Sequence, residues 1–235
     1  MRLDRFVSSQ RGDLSRSDVK ELCRRGCVIV NGVTAKRSDI SVDEEKDSVA
    51  VNGEPVTYRK HVYIMLNKPQ GVLCATKDRL TETVLELIPP ELRRDGLFPA
   101  GRLDKDTEGF VLITDDGELA HRMLSPKSHV PKTYFVRLEQ PLDPSLKERF
   151  AQGLTIDGGE LCLPAELIPE ENACECRLVL HEGKYHQVKR MFQVCGNRVT
   201  YLKRIRIGAI PLDPELPLGG CLEILHKDVD KLLAR

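Results

Sequence analysis

The run Gly101-Arg102-Leu103-Asp104-Lys105-Asp106-Thr107-Glu108-Gly109-Phe110-Val111-Leu112-Ile113-Thr114 passes from alternating charges, bounded by glycines, into an unbroken apolar stretch. The apolar half reads as a buried strand over 110–113, and the charged half as the loop that feeds it. A loop carried on a rigid strand can hold a carboxylate against a ligand. An ordinary surface loop can have the same composition, so the residues alone leave both readings open.

Working outward, further strands are expected at 62–66, 133–138, 176–180 and 205–207, and helices at 118–124, 144–152 and 186–194. Asn67-Lys68-Pro69-Gln70-Gly71 stops the first of these strands. Strands outnumber helices and do not alternate with them. That pattern predicts an α+β fold with a mixed, largely antiparallel sheet and packed helices, not a doubly wound one.

The first 57 residues have a rhythm of their own. Leu3, Phe6 and Val7 fall at helical spacing, and Val19, Leu22 and Cys23 form the apolar stripe of a second helix. Ser15 and Asp18 are spaced for a capping box, and Gly26 stands where the helix should stop. The opposite face carries Arg16, Lys20 and Arg24 at intervals of four, with Arg25 adjoining, a row suited to phosphates. A solvated helix face would look the same. Asn31-Gly32 and Asn52-Gly53 are hairpin signals. The expected organisation is a small αβ domain over 1–57, a linker over 58–61 and a larger domain over 62–235.

Lysine plus arginine balance aspartate plus glutamate at 36 each, so contact with a polyanion must come from charge segregated into patches. No apolar run suffices to span a bilayer and the N-terminus opens with charged residues, so a cytoplasmic protein without a membrane partner is expected. Cys174 and Cys176 have no second closely spaced cysteine pair to complete a zinc set, and no glycine-rich stretch has nucleotide-binding spacing. Neither metal nor cofactor is expected.

The N-terminal stretch resembles the small RNA-binding domain named after ribosomal protein S4. The resemblance rests on Arg2-Leu3-Asp4-Arg5-Phe6, on Ser15-Arg16, and on Gly26-Cys27-Val28-Ile29-Val30-Asn31-Gly32. It implies binding to structured RNA through the basic helix.

The larger domain resembles the pseudouridine synthases, in particular the branch that modifies small-subunit ribosomal RNA. Gly101-Arg102-Leu103-Asp104 with Thr107 and Gly109 matches the catalytic signature, and 65–71 matches the segment near the start of the catalytic domain. Lys132-Thr133-Tyr134 matches the motif whose tyrosine packs on the base. The run 182–192 matches the motif whose basic residue, here Lys189, pairs with the aspartate.

By that resemblance the protein converts a uridine of ribosomal RNA to pseudouridine, with Asp104, Tyr134 and Lys189 as the catalytic set. Lys68, Arg102, Lys184, His186 and Arg190 join Arg16, Lys20, Arg24 and Arg25 as expected RNA contacts, with Lys203, Arg204 and Arg206 as further basic candidates. The expected partner is ribosomal RNA within a small-subunit assembly intermediate, with no obligatory protein partner. Large-subunit rRNA is the alternative substrate. A glycosidase using Asp104 with Asp106 or Asp115, and a non-catalytic ribosome-assembly protein, are alternatives of other classes. One departure stands out: the arginine that the family pattern places three positions after Gly219 is Leu222 here.

Overall fold

The computed structural model of the protein describes residues 1–125 and 127–234. Its contacts divide the chain into two units: Met1–Val62 with Ile88–Leu97, and Tyr63–Leu87 with the chain from Phe98 onward.

In the first unit, helices α1 (Leu3–Gln10) and α2 (Arg16–Arg24) accompany strands β1 (Val28–Val30), β2 (Val33–Thr34), β3 (Val49–Val51) and β4 (Glu54–Val56). The strands form an antiparallel sheet ordered β2-β1-β3-β4. α2 starts where its cap dictates: Ser15 Oγ accepts from the Asp18 amide, and the Asp18 carboxylate accepts from the Ser15 amide at 2.8 Å. At Asn31-Gly32 and Asn52-Gly53 both residues of each pair have positive φ, as tight two-residue hairpins require. Leu3, Phe6, Val7, Val19, Cys23 and Val28 make the core of this unit.

The segment Ile88–Leu97 belongs to the same unit, a feature absent from the continuous division at 57, 58–61 and 62–235. Gly12 shows why it fits: a Cβ there would lie 2.0 Å from the carbonyl oxygen of Arg93. Arg94 also donates to the carbonyl of Arg59 at 2.9 Å.

The second unit is built on one large sheet. Its strands are β5 (Tyr63–Lys68), β6 (Phe98–Ala100), β7 (Glu108–Thr114), β8 (Lys132–Leu138), β9 (Glu166–Pro169), β10 (Glu175–Leu180), β11 (Val199–Ile207), β12 (Ile210–Pro211) and β13 (Cys221–Glu223). The order is β13-β5-β7-β11-β8-β10-β9, with β6 also paired to β7 and β12 to β11. Among the described residues the pair β7/β11 is parallel and the other pairs are antiparallel, which makes the sheet mixed and largely antiparallel. Helices α3 (Gly117–Leu124), α4 (Leu146–Ala151) and α5 (Gln187–Gln193) complete the α+β architecture.

β7 is central, and its continuous burial explains why Phe110 to Ile113 is uninterruptedly apolar. Phe110 and Leu112 pack with Met65, Ala120, Met123 and Leu232 in one core. No helix among the described residues is long and apolar enough to cross a membrane.

Candidate active site

The loop carrying Asp104 lies between β6 and β7, and glycine makes its exit possible. Gly109 has φ +103°, and a Cβ on it would fall 2.2 Å from the carbonyl oxygen of Arg204, its register partner on β11. Only glycine lets the two backbones meet this closely. Within the loop, the Thr107 amide donates to the Asp104 carbonyl at 3.1 Å. The Gly71 amide reaches the Lys105 carbonyl at 2.8 Å, and the Leu103 amide donates to Cys74 Sγ at 3.3 Å.

Beneath the loop lies Lys68, at the end of β5 and 0 % exposed. Its ammonium donates to the carbonyl oxygens of Thr107 (2.8 Å), Pro69 (3.0 Å), Asp104 (3.1 Å) and Lys105 (3.3 Å). Burial pushes its pKa down, against the opposing pull of Cys74, Asp106 and Asp104. Lys68 therefore cannot serve as the RNA contact expected of it. It holds the backbone of the Asp104 loop, and the four carbonyl oxygens account for a cation in the interior.

On the other side, the Asp104 carboxylate meets α5. Lys189 Nζ is 3.0 Å from Asp104 Oδ2 and 2.5 Å from Asp106 Oδ1, bridging two carboxylates. Burial works against the Lys189 ammonium, but its hydrogen bonds with Asp106 and Asp104 outweigh this, and its pKa is raised. His186, with φ +47° immediately before α5, places Nε2 3.5 Å from Asp104 Oδ1. Asp106 was absent from the expected catalytic set. Its spacing two residues from Asp104 was the available signal, and only the folded loop brings both to one cation.

Arg190 is turned elsewhere. Its guanidinium contacts Asp157 Oδ1 at 2.6 Å and Glu160 at 2.7 Å, and donates to the carbonyls of Asp157 and Tyr185. A side chain committed to four acceptors is not poised for phosphate, so the expected RNA role of Arg190 is corrected to an internal tie. Arg204 is corrected too: it is 3 % exposed, and its Nε donates to the Phe110 carbonyl at 2.7 Å.

Tyr134, on β8 and 8 % exposed, lines a cavity of about 90 Å³ together with Asp104, Arg102, Thr107, Lys184 and His186. The expected residues Asp104, Tyr134, Arg102, Lys184 and His186 thus converge on one pocket, with Lys189 bonded to its carboxylate. Thr107 Oγ1 is buried there with no hydrogen-bond partner among the described residues. On the first unit, Arg16, Lys20 and Arg24 line a shared depression with Arg2, Lys36 and Arg37, whereas Arg25 is exposed outside it. Arg16 is partly engaged by Asp4 at 3.2 Å.

The arrangement offers one carboxylate with a cation fixed beside it and an aromatic wall, a set suited to attack on, or proton removal from, a sugar. Two carboxylates across a cleft, as glycosidases use, are not formed by the expected pairs: Asp106 shares Lys189 with Asp104, and Asp115 follows the far end of β7.

Comparison with known proteins gives the family. Residues 62–194 match the family model described as RNA pseudouridylate synthase, and residues 1–47 match the S4 domain. An RNA pseudouridine synthase of Bacillus subtilis, itself described as uncharacterized, is 46% identical over 99% of this chain and 98% of its own. The ribosomal small subunit pseudouridine synthase A of Escherichia coli is 40% identical over 97% of this chain and 98% of its own. A crystal structure of a pseudouridylate synthase superposes with a TM-score of 0.69 at 37% identity, covering 99% of both chains. The chain belongs to the RNA pseudouridine synthase family and carries an N-terminal S4 domain.

Proposed function

We propose that this protein isomerises one uridine of small-subunit ribosomal RNA, within an assembly intermediate in the cytoplasm, and needs no obligatory protein partner. The observation that carries the reaction is the Asp104 carboxylate, held from below through its loop by Lys68 and from the side by Lys189, in a pocket walled by Tyr134. The full-length similarity to small-subunit enzymes supports the choice of RNA.

In this reading Asp104 acts on the sugar once the uridine has left its stack. Its carboxylate attacks C1′ or removes the 2′ proton; either route breaks the C1′–N1 bond. Lys189, 3.0 Å away, keeps it aimed. Tyr134 packs against the freed base so that it turns without escaping; C5 then joins C1′, displacing the carboxylate on the first route and, on the second, with the 2′ proton handed back to C2′. Arg102 occupies the gap left in the RNA, while Lys184 and His186 meet backbone phosphates near the pocket. Arg16, Lys20, Arg24 and Arg25 engage phosphates of the surrounding fold. Mapping pseudouridines in ribosomal RNA from cells with and without the protein tests the target. One small-subunit position should lose its modification, and a loss confined to large-subunit RNA would overturn the assignment.

A further inference from the structure

Lys132 opens β8 and lies across from Leu180 on β10 and Ile207 on β11. Two residues on, Tyr134 shares its face of the sheet and pairs with Arg204. Tyr134 and Leu180 both line the active cavity, so Lys132 and Arg204 are cross-strand neighbours of its wall. Lys132 is 8 % exposed and donates to the Val130 carbonyl at 2.9 Å. Arg204 bonds the Phe110 carbonyl through Nε, and its Nη2 is buried with no partner among the described residues. Among the described residues neither cation forms an ion pair with a carboxylate.

Two such charges are costly inside a protein. Arginine cannot shed its proton there. Burial, with Arg204 adding to it, pulls Lys132 down to about 8, which still leaves most of it charged at neutral pH. The fold thus maintains, beside the aromatic wall, a positive region that no carboxylate among the described residues pairs.

We infer that Lys132 and Arg204 form a buried cation pair that stabilises the negative charge on uracil while the base is detached from the sugar. The inference rests on the proposed placement of the reaction at Asp104 and Tyr134. When the C1′–N1 bond breaks, its electron pair leaves with the base, and the charge spreads over N1, O2 and O4. When C5 bonds to C1′ the pair returns to the sugar; the proton on C5 then departs to a base and N1 takes one up. The anion exists only between these events, so fixed charges near it favour the transition state over the bound substrate. In a water-poor interior that influence extends beyond direct contact.

The test uses the leaving group. Fluorine at C5 makes the uracil anion intrinsically more stable and reduces its need for outside charge. First-turnover cleavage of the C1′–N1 bond is measured on small-subunit assembly intermediates reconstituted from rRNA transcripts made with uridine or with 5-fluorouridine. Lys132→Met should slow the uridine reaction about 10- to 100-fold, less than loss of a direct oxyanion donor, and slow the fluorouridine reaction much less. Its melting temperature should equal or exceed that of the wild type, since an unpaired buried charge has gone, and Lys132→Arg should recover most of the rate. Lys132→Gln provides the same comparison should the Met variant not fold. Equal losses on both RNAs, or no loss, would overturn the cation pair while wild-type activity stands. A wild-type protein inactive on both RNAs would overturn the reading beneath it, and the pair's role with it.

Discussion

Lys68 approaches Asp104 from behind: its ammonium lies 3.1 Å from the Asp104 backbone carbonyl, while the Asp104 carboxylate faces Lys189 at 3.0 Å. Two lysines thus serve one aspartate in different ways, one shaping its backbone and the other holding its charge.

Replacing Lys68 by Met leaves buried carbonyl oxygens without a donor, at about 1–3 kcal/mol each. Removal of the buried charge offsets part of this, so the expected net loss is about 2–4 kcal/mol of stability, seen as a lower urea midpoint, together with lost activity. An unchanged midpoint with weakened RNA binding would restore Lys68 to the RNA surface and contradict its place under the loop.

Lys189 and Arg190 are neighbours with separate tasks. Lys189→Met should lower kcat/KM about 10²-fold, the scale of one lost electrostatic partner in a preorganised site. Arg190→Met should act mainly on stability, by releasing Asp157 and Glu160. Kinetics and melting curves on both variants check this, and a larger catalytic loss at Arg190 would reverse the assignment.

Asp106 gives a pH signature. Burial tends to raise its pKa, but the hydrogen bond and charge of Lys189 prevail and hold it below the usual 3.8. A depressed carboxylate contributes stability above its unfolded pKa and loses it as pH falls through the folded one. Lys189, raised above 10.5, loses its share as pH rises through that folded value. The wild type should therefore melt above Asp106→Asn at pH 6, and the gap should close below about pH 3.8. A gap that persists at pH 2, or none at pH 6, would contradict the bridge.

Two glycines should respond in opposite directions. Gly109→Ala forces a Cβ into the Arg204 backbone at a strained φ and should cost more than about 3 kcal/mol. Gly117, first in α3 with open space around it, should gain about 0.4–1 kcal/mol on becoming Ala. Chemical denaturation of the two variants gives the comparison.

Legibility in the sequence followed the range of the forces involved. α2 with its capping box, the Asn-Gly hairpins and the apolar β7 were readable because each is specified within a few residues. β11 was foreseen only over 205–207, since Lys203, Arg204 and Arg206 disguise a strand that begins at Val199. β13 could not be foreseen at all: Cys221–Glu223 is a strand because it pairs with β5, some 155 residues earlier.

Charge was similarly deceptive at the site. Lysine and arginine read as surface residues, yet Lys68, Lys132 and Arg204 are interior, and only the fold supplies the carbonyls that tolerate them. Asp104, Tyr134 and Lys189 were found through motifs. Their convergence belongs to the sheet, which brings β8 and α5 to the loop before β7.

The most direct measurement is single-turnover pseudouridine formation in the target RNA by Asp104→Asn beside the wild type, with folding and RNA affinity followed in parallel. Loss of at least about 10⁴-fold in rate, with folding and affinity retained, is the predicted result. Conversion by the Asn variant at an undiminished rate would contradict the assignment of Asp104 as the residue that acts on the sugar.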